Sequence, residues 1–470
     1  MRRRDFFKKT ALGAIGASVL SPFSSFAGRF TDETLVNAGR AKNIIFMVSD
    51  GMSIGTLNMA DMMRQRKEGR KSNWLSLYSH NKVRRALMDT ASANSLITDS
   101  AAASSSWGGG VRVPNGSLNV NADGSFNKPI LQKFKTAGKS VGCVTSVTIT
   151  HATPAGFCVN SAKRSAEPAI ALQYMDLGFD VMMGGGQEFF GANKRSDKQD
   201  LFTKYQQAGF TVLKNRDDMN KLTFQENKPI MGVFHDGGLP YALDRENDAV
   251  LTAKTPSLAE MTKTAIQQLK KNKNGFVLQV EGGKVDWAAH ANDPGGLIYD
   301  QLAFDDAVGE AIAFAEADKE TLVIITTDHG NANPGLFSGA DANNNFDRIQ
   351  TFKHTNDWIL NGVDQSYSAA RLIERIEFAQ GYAIATDEAK ALLSHYEQLD
   401  GEGLYNPRRL PFQQLAQYQR KHLSIGWASM DHSADYVELA MYGPGSEDLK
   451  PFIKNIELHN FMLHTTGVQA

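Results

Sequence analysis

Asn43-Ile44-Ile45-Phe46-Met47-Val48-Ser49-Asp50 carries five consecutive apolar side chains and finishes on a carboxylate. An unbroken apolar run of this kind, rather than an alternating one, is the pattern of a parallel strand covered on both faces. Two further runs share it: Gly275-Phe276-Val277-Leu278-Gln279-Val280-Glu281 and Leu322-Val323-Ile324-Ile325-Thr326-Thr327-Asp328. A buried strand has little reason to end on an acid unless a cation waits at its carboxyl edge, which is where open α/β sheets place their sites. Metal is the natural candidate, because His290 follows Glu281 closely and His329 directly follows Asp328, adding nitrogen donors to oxygen donors.

Outward from these runs, strand-like and helical patterns alternate. A strand over 140–149, a helix over 168–177 and a strand over 179–183 give the βα rhythm of a parallel sheet. The pattern predicts a helix over 255–271, with Thr255 as N-cap and Pro256 at the first position, and another over 300–317 that feeds the third acid-ended strand. The fold class is therefore α/β with a doubly wound, mostly parallel sheet. Gly184-Gly185-Gly186 lacks both the Walker and the Rossmann spacing and reads as a tight strand exit. The basic stretch from Arg64 to Lys71 reads as a solvated mixed-charge loop. Between His329 and His432 the patterning becomes uneven, with a loop over 339–345 and a helix over 387–396, so an insertion or subdomain is expected at about 336–425. The chain then returns to a strand over 436–441.

With 50 Lys and Arg against 51 Asp and Glu, the net charge of −1 offers no electrostatic case for nucleic acid as a specific partner. The length of 470 residues allows about three domains, although α/β enzymes often run long as one. Arg2-Arg3-Arg4-Asp5-Phe6-Phe7-Lys8, an apolar small-residue run from Ala11 to Leu20 and Ser25-Phe26-Ala27 read as a twin-arginine-like export signal over residues 1–27. The mature protein would begin near Gly28, lie in the periplasm or outside the cell, and carry no membrane segment. Cys143 and Cys158 are the only cysteines, which rules out a disulfide framework and leaves one bridge or two buried thiols open.

Asp286 and His290 stand four apart, so a helical turn would put them on one face, within reach of one ion. Asp328 and His329 are neighbours and can share an ion only where their strand breaks, a break expected from Gly330 and Asn331. Thr98-Asp99-Ser100-Ala101-Ala102 opens a small-residue helix and puts Ser100 near its N-terminus, where backbone N–H groups favour an anion.

Asp50-Gly51-Met52, the segment around Ser100, His151-Ala152-Thr153-Pro154-Ala155, Glu281 through Asp286 to His290, Thr327-Asp328-His329-Gly330 and the late His432 together resemble, in order, the motifs of alkaline phosphatases. The resemblance covers most of the mature chain. It implies a three-layer α/β/α sandwich with an inserted subdomain, and hydrolysis of phosphate monoesters through a phosphoserine, with two Zn²⁺ and one Mg²⁺. Residue by residue, Ser100 matches the nucleophile. Asp286, His290 and His432 match one zinc site, and Asp50, Asp328 and His329 the other. Glu281 and Thr153 match the magnesium site, with Asp50 bridging toward it. Arg164 stands at the family's spacing from Thr153 for the arginine that grips phosphate oxygens.

Two departures bear on this. His151 stands where some members have aspartate, which makes the third site less anionic. Trp287 follows Asp286 where some relatives carry a basic residue, and is placed either to stack near the site or to pack. His422 is the rival to His432. A phosphodiesterase or sulfatase on the same metal core is the competing enzyme reading, and a periplasmic phosphate- or metal-binding protein the non-enzymatic one. Ser100 and Arg164 favour the monoesterase. The sequence leaves monomer or homodimer open.

Overall fold

The computed structural model describes residues 39–224, 228–398 and 409–469. The proposed export signal lies outside them. Eight strands precede the long irregular stretch: β1 (Asn43–Val48), β2 (Arg84–Asp89), β3 (Ser140–Thr148), β4 (Val181–Gly185), β5 (Thr211–Leu213), β6 (Ile230–Val233), β7 (Phe276–Glu281) and β8 (Thr321–Thr326). Four two-residue strands follow, β9 (Gly330–Asn331), β10 (Gly335–Leu336), β11 (Ile425–Gly426) and β12 (His432–Ser433), and then β13 (Val437–Tyr442) and β14 (Phe452–Lys454).

Ten of these form one sheet in the order β14-β2-β13-β8-β1-β7-β3-β4-β6-β5. Every pairing is parallel except those of β13 with β2 and β8. The three acid-ended runs are thus β1, β7 and β8, and they lie side by side at the centre. Val48 is in register with Glu281 on one side and Thr326 on the other, so the three strands end level. All six residues of each are buried, as their unbroken apolar patterns require. The helix Pro294–Asp318 carries the chain from β7 on one side of β1 to β8 on the other. That makes the end of β1 a switch point of the doubly wound sheet.

Several local expectations are corrected. The helix predicted over 255–271 spans Leu258–Leu269, and Ser257 caps it in a reciprocal pair with Glu260, while Thr255 ends the preceding helix. The helix predicted from 300 begins at Pro294, capped by Asp293, six residues earlier. Residues 64–68 belong to the helix Ile54–Glu68 rather than to a loop, and Arg64 is buried beside Asp306 and the Leu302 carbonyl. The 339–345 loop gives way at Ala342 to a short helix. The glycine triplet, by contrast, is the tight strand exit expected: it ends β4, and Gly186 turns out at φ 102°.

Residues 342–393 and 412–423 are mainly helical, and the β10–β11 pair joins the chain on either side of them. Their apolar side chains, among them Leu372, Ile376 and Leu415, belong to the same buried cluster as Ile45, Leu278 and Ile325 of the sheet. Cys143 and Cys158 are buried free thiols, 3.9 Å apart at sulfur. No helix among the described residues is long and apolar enough to cross a membrane.

Candidate active site

Four neighbouring strand ends, β8, β1, β7 and β3, supply the site. Past β1, Gly51 turns at φ 67°, and a Cβ there would fall 2.4 Å from an Asp286 carboxylate oxygen, so only glycine lets the two loops approach. The Gly51 N–H donates to Asp328 Oδ1 at 2.9 Å, and the Met52 N–H donates to Thr327 Oγ1 at 3.0 Å. These bonds tie the ends of β1 and β8 together. The break that turns Asp328 and His329 to one side falls at Thr327–His329, not at Gly330 and Asn331. Those two residues form β9 instead, and its antiparallel pairing with β12 sets His432 opposite Asn331.

The structure brings the candidate residues together, with the exception of His422. Asp286 and His290 share a face of the helix Lys284–His290, 3.4 Å apart, and His432 Nε2 lies 3.1 Å from His290 Nε2 and 3.6 Å from Asp286. Asp50, Asp328 and His329 form a second cluster, with His329 Nε2 at 3.1 Å from Asp328 and 3.6 Å from Asp50. Asp50, His151 and Glu281 form a third, to which Thr153 is joined by its hydroxyl, which donates to Asp50 at 3.2 Å. In each triad the ligand atoms lie within 4.8 Å of one another. His422 joins none of these clusters and stacks on Tyr382 instead.

Ser100 opens the helix Ser100–Gly109, capped by Asp99, whose carboxylate accepts the Ala102 N–H at 2.9 Å. Its hydroxyl lies 3.3 Å from His329 Nε2 and 3.5 Å from Asp50 Oδ1. The small residues of this helix have a steric reason. A Cβ on Gly108 would meet the Gly156 carbonyl at 2.0 Å, so the helix packs backbone to backbone on Ala152–Cys158, which carries Thr153. Arg164 donates to Asp99 at 3.1 Å and to His151 Nε2 at 3.1 Å, and so stands beside both Ser100 and the third cluster.

Asp50, Glu281, Asp328 and His329 are wholly buried, and Asp286 nearly so. Burial, followed by the carboxylates of Asp328, Asp286 and Glu281, pushes the Asp50 carboxyl well up. Burial would pull His329 down, but the adjoining Asp328 outweighs it and leaves the imidazole raised. Burial, then the charge of His329, pulls His432 down to about 4, which leaves its ring neutral near pH 7 as a ligand must be. Glu281 Oε1, Asp328 Oδ2 and His151 Nδ1 are buried without a hydrogen-bond partner. Four carboxylates closed off from water, two of them with an unpartnered oxygen and all interleaved with imidazoles, fit divalent cations.

Sequence reasoning did not single out Asp99 as the holder of Arg164, Asn331 as the donor to Asp286 at 2.8 Å, or Thr145, which donates to Glu281. Asp99 alone carried a signal, its place beside Ser100. Trp287 faces the site, its ring edge-on to His151 at 6.3 Å, and a Cβ on Gly238 would press it at 3.0 Å.

A doubly wound sheet with three carboxylate–histidine clusters and a helix-borne serine at its carboxyl edge defines a hydrolase of α/β fold built around a metal-binding centre. A family model for alkaline phosphatase matches residues 41–468. Alkaline phosphatase 4 of Bacillus subtilis is 30% identical over 99% of this chain and all of its own length. Alkaline phosphatase 3 of the same organism is 32% identical, with 97% and 96% covered. The crystal structure of Thermus thermophilus alkaline phosphatase superposes with a TM-score of 0.86 at 30% identity, covering 96% of each chain. The chain belongs to the alkaline phosphatase family, and its reaction is the hydrolysis of phosphate monoesters.

Proposed function

We propose that hydrolysis proceeds in two steps through a phosphoserine at Ser100. The observation that carries this reading is the position of the Ser100 hydroxyl at a helix N-terminus, within 3.5 Å of both His329 and Asp50. Asp286, His290 and His432 would hold one zinc ion, Asp50, Asp328 and His329 a second, and Glu281, Thr153 and His151, with Asp50, a magnesium ion. When bound, the two zinc ions supply Lewis-acid stabilisation of charge on the entering and departing oxygens. Arg164 takes two non-bridging oxygens in a bidentate grip, held in orientation by Asp99. The first N–H groups of the helix Ser100–Gly109 add partial positive charge where the phosphoryl group sits. Ser100 attacks phosphorus and expels the alcohol, and water then cleaves the seryl ester and restores the hydroxyl.

An arginine beside the nucleophile favours monoesters over diesters, which lack one charged oxygen for it to grip. His151 makes the third site less anionic than a carboxylate would, so it is expected to bind Mg²⁺ less tightly. Export through a twin-arginine-like signal belongs to the same reading. Chelation should abolish turnover of a chromogenic phosphate monoester, and Zn²⁺ with Mg²⁺ should restore it. Full recovery with Mg²⁺ alone would contradict the zinc assignment.

A further inference from the structure

His151 and Thr153 reach the third cluster from a single tight turn that joins the end of β3 to the helix Ala152–Cys158, and the His151 N–H closes it on the Thr148 carbonyl at 2.9 Å. What holds that turn lies behind the site, on the helix Glu167–Leu177. The Thr148 and Thr150 hydroxyls both donate to Glu167 Oε2, at 2.6 and 2.7 Å, and the Tyr174 hydroxyl of the same helix donates to the Ile149 carbonyl at 2.7 Å. Three consecutive residues of the turn are thus pinned to one helix. Thr148 and Thr150 are buried, so without that carboxylate oxygen each hydroxyl must find another acceptor or go unpaired. An acid in the first turn of a helix gains from the helix N-terminus whichever way it points. One that aims a single oxygen at two buried hydroxyls, just ahead of two candidate metal ligands, has a further use.

We propose that Glu167 is a positioning residue for the third cluster, fixing the turn from Thr148 to His151 so that His151 and Thr153 meet Asp50 and Glu281 around one Mg²⁺. The inference deepens the magnesium reading and rests on it. Glu167 belongs to none of the three clusters and does not line the cavity onto which Ser100, Arg164 and His151 open, so it acts through the turn. Arg164 stands three residues ahead of it and donates to His151 Nε2 at 3.1 Å, so the loop that leads into this helix also steadies the imidazole. Mg²⁺ demands near-octahedral geometry at short range, which makes its affinity sensitive to small displacements of its ligands. The candidate zinc ligands lie on other segments, at the ends of β1 and β8, on the helix Lys284–His290 and in β12, and none is on this turn.

The test titrates MgCl₂ into the zinc-loaded full chain by calorimetry and measures zinc per chain by atomic absorption. Glu167→Ala should weaken Mg²⁺ binding by roughly tenfold or more, the loss that follows removal of a group orienting a metal ligand, and should leave the zinc content at its wild-type value. Thr150→Val, which removes one of the two bonds to the carboxylate, should shift Mg²⁺ affinity in the same direction, and Thr150→Ser should restore it. Glu167→Gln keeps an acceptor oxygen without the charge and should retain most of the affinity. Should Glu167→Ala not fold, the two Thr150 variants carry the comparison. Unchanged Mg²⁺ affinity in Glu167→Ala and Thr150→Val, an equal loss in Glu167→Gln and Glu167→Ala, or zinc lost in step with magnesium would overturn the proposal. If the wild type takes up no Mg²⁺, the magnesium reading fails instead. Hydrogen–deuterium exchange over residues 148–153 of the metal-free chain then decides the positioning: faster exchange in Glu167→Ala supports it, and equal exchange overturns it.

Discussion

At the scale of single residues, Asp50 is the hinge of the site. It takes part in two of the three clusters, meets the Ser100 hydroxyl through one oxygen and accepts the Thr153 hydroxyl on the other. Arg164 does a different job, since its partners Asp99 and His151 leave the guanidinium lining the cavity next to Ser100. A charge-assisted hydrogen bond contributes about 1.5–3 kcal/mol, so Arg164→Ala should lower monoester kcat/KM by roughly 10²-fold. Diester turnover should fall much less. Parallel kinetics on an aryl phosphate and the matching aryl diester measure this, and equal losses on both would argue against the phosphate grip.

At the scale of elements, the site depends on how closely helices and strand ends approach. Ser100–Gly109 rests on Ala152–Cys158 through Gly108, where a methyl group would overlap the Gly156 carbonyl. Gly108→Ala should therefore destabilise the protein by about 3 kcal/mol or more and depress activity, because both the serine and Thr153 must move. An unchanged denaturation midpoint would refute this packing. Much of the element layout was legible in the sequence, since β1, β7 and β8 are buried on both faces and announce themselves as apolar runs. The acids ending them were legible for the same reason, and so was the four-residue spacing of Asp286 and His290. Other features depend on partners distant in sequence. Gly295 and Gly296 sit in the first turn of the helix Pro294–Asp318 where a Cβ would crowd Leu243, Phe352 and Ala288. His432 reaches the site only through the β9–β12 pairing, a contact across 101 residues of register that no local pattern encodes. The stretch between β10 and β11 was legible in part: the helix expected over 387–396 is Thr386–Leu393 continued by a tighter turn to Gln398, whereas the helices Ala369–Gln380 and Phe412–Leu423 were not read.

At the scale of the whole molecule, the ten-stranded sheet holds a surplus of buried negative charge at one edge, and a buried histidine away from that edge adds its own sensitivity to acid. His459 donates from Nδ1 to the Trp107 carbonyl at 2.9 Å, and its Nε2 accepts from Lys133 at 2.9 Å, so the ring must stay neutral. Burial, then the charge of Lys133, pulls its pKa down to about 4. A histidine depressed in this way contributes stability that is complete above its ordinary value near 6.5 and lost as the pH falls toward 4, on the order of 3 kcal/mol for such a shift. His459→Asn should accordingly flatten the acid limb of urea-denaturation stability between pH 6.5 and 4, and an unaltered limb would show that the ring titrates freely. The charge at the strand tips matters for chemistry, because it builds the centre in which Ser100 is to carry the phosphoryl group. The most direct measurement is acid-quenched labelling with a ³²P-phosphate monoester, followed by peptide mapping. Label confined to Ser100, and absent from Ser100→Ala, is the predicted result; label on another residue, or turnover surviving in Ser100→Ala, would contradict the phosphoserine route.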